Sequence, residues 1–113
     1  MNINDYIKQI CNILHIKLPK IVKKQDLNEL YVNYISDKKT LYIKRDIEIN
    51  YSLIYQIVIA VRYYYQDINC PNMSKQQRLD DAIKFAEIYF DKYMNIKLII
   101  DENDLTLSNK ILI

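Results

Sequence analysis

Asn50-Tyr51-Ser52-Leu53-Ile54-Tyr55-Gln56-Ile57-Val58-Ile59-Ala60-Val61-Arg62-Tyr63-Tyr64-Tyr65-Gln66 is the stretch on which the reading of this chain turns. It is expected to be a helix, because Asn50 or Ser52 can accept a backbone N–H and cap its start. The helix is expected to end near Gln66. Its longest uninterrupted apolar run, residues 57–61, is far too short to span a bilayer.

The segments around it take their form from periodicity. Upstream, Ile3, Tyr6, Ile7, Ile10, Ile13 and Leu14 recur at a helical spacing across residues 2–16, and Pro19 follows the end of that helix. Residues 17–24 are basic and expected to be extended. Leu30-Tyr31-Val32-Asn33-Tyr34-Ile35 and Thr40-Leu41-Tyr42-Ile43-Lys44-Arg45 are strand-like runs on either side of a polar turn, Ser36-Asp37-Lys38-Lys39, which predicts a β-hairpin. Downstream, residues 67–73 contain Cys70-Pro71-Asn72 and are expected to be a loop. Ser74 with Gln77 forms a capping box that opens a helix to about Met94, with Leu79, Ala82, Ile83, Ala86, Phe90 and Tyr93 on its inner face. Residues 96–100 are a strand candidate, residues 101–104 (Asp-Glu-Asn-Asp) a turn, and residues 105–108 a possible return strand. The fold class is therefore α+β in one domain over residues 1–113: an N-terminal helix, a hairpin, two packed helices and a C-terminal strand extension at 95–113.

Composition bounds the function. The 113 residues carry a net charge of +2, so no global field demands nucleic acid as a partner. The chain has 11 tyrosines and no glycine, alongside abundant Ile, Lys and Asn, all residues of AT-rich codons. Two readings of the tyrosines stand side by side, codon bias and a binding surface. Without glycine, turns must use Asn, Asp and Lys, and the glycine-loop phosphate sites of dinucleotide and P-loop proteins are excluded. Cys11 and Cys70 have neither the count nor the spacing of a disulfide framework or a metal knuckle. The first nine residues lack the features of a secretion signal. A cytosolic protein with free thiols is the expectation, with no cofactor and no membrane partner.

One family resemblance reaches most of the chain. Arg62, Tyr65 and Gln66, then Asp81, Ala82, Phe85 and Ala86, match flanking positions of two motifs: His-Glu-Leu-Arg-His followed by an aromatic and Gln, and Glu-x-Asp-Ala-x-x-Phe-Ala. The lead-in segments Leu18-Pro19-Lys20-Ile21-Val22 and Leu41-Tyr42-Ile43 match as well. In these positions residues 1–94 resemble the phage-type branch of the ImmA/IrrE-like zinc metallopeptidases, which implies a zincin-like core. The resemblance puts the two histidines, the catalytic glutamate and the third ligand at Ile59, Tyr63, Ala60 and Leu79 respectively. A catalytic zinc needs three protein ligands and an open position, and these residues supply none of them. Asp80 and Asp81 are adjacent in a helix and point about 100° apart, and His15 is the chain's single imidazole. The metal and catalytic sites are accordingly assigned to no residue, and Ile59, Tyr63 and Leu79 are expected to plug the former cleft. Arg62 and Gln66 are expected to hydrogen-bond the hairpin.

Surface candidates follow. Tyr63, Tyr64 and Tyr65 span a helical turn, so at least one ring should face solvent, and Tyr64 is taken as a partner contact. Lys38, Lys39, Lys44 and Arg45 are candidate contacts for a partner or for phosphate, with Tyr31, Tyr34 and Tyr42 near enough to stack on bases. The C-terminal Ile111, Leu112 and Ile113 are candidates for a homodimer contact. What the resemblance implies, with no ligand left, is a pseudo-peptidase of phage or mobile-element origin in the host cytosol. It would act by binding a protein partner, as an inhibitor or adaptor, a host defence system such as CRISPR being one target of such proteins. The alternatives are a nucleic-acid-binding module using the basic hairpin, and a divergent zinc peptidase.

Overall fold

The computed structural model describes residues 1–25 and 31–98. The expected C-terminal strands and the contact at Ile111, Leu112 and Ile113 lie outside those residues. In chain order the elements are α1 (Ile3–Leu14), β1 (Lys20–Lys24), β2 (Val32–Ile35), a short 3-10 turn (Ser36–Lys38), β3 (Thr40–Lys44), α2 (Tyr51–Asn69) and α3 (Lys75–Met94). The class is α+β, as its periodicities indicated.

Each helix starts where a side chain can take the orphan N–H groups of its first turn. Asn2 and Asp5 form a reciprocal capping box at α1. Asn50 accepts from the Leu53 N–H at 2.8 Å at α2. Ser74 and Gln77 form the expected capping box at α3. The absence of glycine shows at the opposite ends and in the turns. His15, Lys39, Asp46 and Asn95 all adopt left-handed backbone, with φ between 47° and 56°. Three of these are the Lys, Asp and Asn that a glycine-free chain was expected to use. Asn and Asp tolerate that region best, whereas His15 and Lys39 hold it at a steric cost.

The sheet has the order β1-β3-β2, with β3 central. β2 and β3 are the predicted antiparallel hairpin, in register Val32–Ile43 and Tyr34–Leu41. The basic extended segment is a strand too: β1 lies parallel to β3, with Lys20 beside Thr40 and Lys24 beside Lys44. Strand side chains alternate between faces, so Val32, Tyr34, Leu41 and Ile43 point one way. Val32, Leu41 and Ile43 are fully buried there.

The core gathers on that face. α2 packs against β2, α1 and α3, and it runs to Asn69, three residues past the expected end. Gln56, fully buried in the middle of it, accepts the N–H groups of Tyr31 at 2.9 Å and Val32 at 3.1 Å through one oxygen. This single amide fastens the start of β2 to the helix. On α3 the buried positions are Ala82, Ala86, Tyr89 and Phe90. The expected inner-face residue Tyr93 is instead 41% exposed. It lies in the last turn, beyond the core, and stacks on Tyr89 at 5.4 Å between ring centroids. Tyr89 takes the inner place and donates its hydroxyl to Gln9 of α1 at 2.7 Å.

Replacing Gln56 by alanine would leave two backbone donors of β2 without an acceptor. Each buried unpaired donor costs about 1–3 kcal/mol, so Gln56→Ala should destabilise the chain by about 2–6 kcal/mol. Equilibrium urea unfolding of the variant against the parent measures this.

Candidate functional site

Two groupings of functional side chains emerge, one between helices and one on the sheet. The first begins with Arg62 on α2. Its guanidinium makes two hydrogen bonds to Asp81 of α3, from Nε at 2.8 Å and from Nη2 at 3.2 Å. Gln66, one turn further along α2, donates from Nε2 to the same carboxylate at 2.8 Å and to the Arg78 carbonyl at 2.9 Å. The Arg62 guanidinium also lies over the rings of Tyr65 (4.3 Å) and Phe85 (4.8 Å), and Ala82 and Ala86 beneath it are fully buried. All seven frame residues, Arg62, Tyr65, Gln66, Asp81, Ala82, Phe85 and Ala86, thus meet at the α2–α3 interface. The hairpin expectation for Arg62 and Gln66 is corrected: both reach across to α3, because their stripe of α2 faces that helix.

The network continues into residues that sequence reasoning passed over. Arg78 of α3 donates from Nε to Gln66 Oε1 at 3.0 Å, from Nη2 to the Tyr63 carbonyl at 3.0 Å, and pairs with Asp67 at 2.9 Å. Asp67 in turn accepts from the hydroxyls of Tyr34 and Ser36, at 2.5 Å each. One carboxylate therefore joins β2, the 3-10 turn and α3. Burial pushes the Asp67 carboxyl up, but the hydrogen bonds from Ser36, Tyr34 and Arg78 outweigh it and hold its pKa below the ordinary 3.8. The hydrogen bond from Arg62 likewise lowers Asp81, against the effect of burial. Burial, with the neighbouring Asp67 carboxylate, raises the Tyr34 phenol, which stays protonated as a donor.

The four positions matched to ligands and base lie close by. Ile59 is fully buried and Ala60 nearly so, while Tyr63 and Leu79 are half-buried. Among the described residues no group of three or more His, Cys, Asp or Glu side chains could hold a metal ion. With Ile, Ala, Tyr and Leu in the matched positions, the residues present do not fit a catalytic zinc. Tyr63 and Tyr65 are half-buried and Tyr64 is the ring turned inward, at 9% exposed. Tyr64 as a partner contact is therefore corrected: its ring packs edge-on against Tyr34, 6.0 Å away, on the core face of the sheet. The Cys11 thiol is pushed up to about 11 by burial.

The second grouping is the sheet face away from the helices. It carries Lys20, Val22 and Lys24 from β1, Thr40, Tyr42 and Lys44 from β3, and Asn33 and Ile35 from β2, as the register requires. Lys24 sets its ammonium 4.4 Å from the centroid of the Tyr42 ring, diagonally across the pair. The four cations proposed from sequence do not form one cluster. Lys38 and Lys39 lie at the 3-10 turn, and Lys44 and Arg45 at the far end of β3, about 13 Å along the strand. Lys44 instead joins Lys24 and Tyr42, and Arg45 donates its N–H to the Lys24 carbonyl at 2.9 Å. Of the three candidate stacking tyrosines, Tyr42 is on the open face and Tyr34 on the core face.

No protein-family model, no curated protein and no solved structure matches the chain. Among the described residues no helix is long and apolar enough to cross a membrane.

The lowered carboxyl groups set an acid dependence. Asp67 and Asp81 bind protons more weakly folded than unfolded, so unfolding takes up protons in acid. The stability they contribute is present above the unfolded value of 3.8 and is lost as pH falls through their folded values. The urea midpoint should therefore drop between about pH 5 and about pH 2, and the drop should be shallower in an Asp67→Asn, Asp81→Asn double variant.

Proposed function

We propose that this protein acts by binding single-stranded nucleic acid across the open face of its sheet. Tyr42 serves as a stacking platform, and Lys20, Lys24 and Lys44 contact phosphates. The observation that carries this reading is the alignment of Lys24 directly beside Lys44, with Tyr42 two residues along β3 on the same face and the Lys24 ammonium over its ring. Like charges opposed across strands destabilise a sheet, and none of the eight positions on this face is acidic. Lysines on an edge strand are a common guard against unwanted strand pairing. That accounts for β1 but not for Lys44, which belongs to the central strand.

A bound polyanion relieves the repulsion. Neutralising phosphates with lysine releases condensed counterions, and the half-buried Tyr42 ring, beside the Lys24 ammonium, offers a base a stacking partner regardless of its identity. The proposed binding is therefore backbone-directed and tolerant of sequence. Duplex DNA hides its base faces and would use only the charge.

A protein partner fits this face less well. Protein–protein contacts are depleted in lysine and centred on large apolar or aromatic anchors. Among the described residues the exposed large apolar side chains, Met1, Leu18, Ile49, Tyr51, Ile68, Ile88 and Tyr93, are spread over five segments of the chain.

Fluorescence anisotropy with a labelled oligonucleotide tests the proposal. Affinity for a single strand should fall with salt, with a log–log slope of about −0.7 for each phosphate neutralised. Changing Lys20, Lys24 and Lys44 together to alanine should flatten that slope by about 2. Tyr42→Ala should cost about 1–3 kcal/mol without changing the slope. Salt-independent binding, or equal affinity for single and double strands, would contradict it.

A further inference from the structure

A cleft between β2 and the start of α3 points to a second ligand. It measures about 350 Å³ and is lined by Tyr34, Ser36, Tyr63, Met73, Lys75 and Arg78. That volume lies at the small end of the range for small-molecule sites. Its walls come from four segments: the end of β2 with the 3-10 turn, α2, the α2–α3 connection, and the first turn of α3.

The charges in the cleft do not cancel. Asp67 lies behind the wall, and its carboxylate is fully occupied by Tyr34, Ser36 and Arg78. Asp67 therefore offsets the charge of Arg78. Lys75, exposed on the rim, forms no ion pair with any described residue. One positive charge is left over. Arg78 spends Nε and Nη2 on Gln66, the Tyr63 carbonyl and Asp67, which fixes the plane of its guanidinium. Among the described residues its Nη1 has no partner, so a donor of fixed plane, held also over the Tyr63 ring at 5.4 Å, remains in the same cleft lining as the lysine. A guanidinium held in advance binds an anion with less loss of side-chain freedom.

The remaining lining is apolar or aromatic: the rings of Tyr34 and Tyr63 and the thioether of Met73. Such a wall suits a flat ring rather than a bare ion. We infer that this cleft binds a small phosphate-bearing molecule with a planar ring, of the nucleoside monophosphate class, with Lys75 and Arg78 on the phosphate and Tyr63 and Met73 against the ring. The inference uses none of the residues of the sheet face, so it stands or falls separately from the proposed strand binding.

The test is calorimetric titration of the full chain with adenosine 5′-monophosphate, adenosine and inorganic phosphate. The monophosphate should saturate, with adenosine and phosphate each weaker by about tenfold or more. Lys75→Ala, a change at an exposed position that leaves the Asp67–Arg78 network intact, should weaken the monophosphate by about tenfold. Tyr42→Ala on the sheet should leave the titration unchanged. Several results would overturn the inference: no saturable binding, adenosine or phosphate binding as tightly as the monophosphate, a Lys75→Ala variant equal to the parent, or a loss of binding on Tyr42→Ala.

Discussion

Nine consecutive residues of α2, from Leu53 to Val61, are shut off from water on every side. A helix apolar around its whole circumference must be surrounded, and the other elements are arranged to do so. α1 covers one flank, α3 another, and the sheet turns its apolar face to a third. Burying each large apolar side chain contributes about 1.5–3 kcal/mol, so the drive to enclose this one helix dominates the packing. The polar groups inside the enclosure then have to be matched. Gln56 Oε1 meets the N–H groups of Tyr31 and Val32 while its Nε2 has no partner among the described residues, and Gln66 meets Asp81 and Arg78. These few directional contacts fix how α2 is rotated among its neighbours, which apolar burial alone does not do.

That arrangement has a consequence on the far side of the sheet. With α2 taking the face of Val32, Leu41 and Ile43, the face of Tyr42, Lys24 and Lys44 is left to the outside. The polar seam at the end of α2 has a matching consequence. Asp67 draws β2, the 3-10 turn and α3 together and leaves a cleft whose rigid wall carries Arg78. Both candidate sites are thus by-products of how one buried helix is held. The proposed chemistry at each is recognition of phosphate, carried by lysine and arginine beside tyrosine.

Much of this was legible before any coordinates. α1 and α3 announce themselves through their apolar spacing and through capping residues that bond as expected. The hairpin was visible because two β-rich runs flank a short polar turn. β1 was seen only as extended, because Lys20-Ile21-Val22-Lys23-Lys24 is short and its partner in parallel pairing is far along the chain. The end of α2 was set too early, and that misplaced Asp67 in a loop. On the last helical turn it faces Arg78, and with it the main bond of the cleft wall was lost from view. A run of three tyrosines has no azimuth of its own, so Tyr64 could not be told from its neighbours until the Tyr34 ring was found against it. The sequence does carry one signal of how α2 is held: glutamines at 56 and 66 inside a stretch otherwise apolar and aromatic but for Arg62. Buried polar groups require partners, and both mark the places where α2 is fastened. The motif frame of Arg62, Gln66 and Asp81 was legible as a set. What it is for, in this chain, is joining α2 to α3.

The central claim is that the open sheet face is the working surface. The most direct measurement is a backbone amide NMR titration of the full chain with a short single-stranded oligonucleotide. The account predicts progressive shifts centred on Lys20, Val22, Lys24, Asn33, Tyr42, Lys44 and their immediate neighbours, larger than any on α3. Shifts centred on α3, or none anywhere at saturating oligonucleotide, would contradict it.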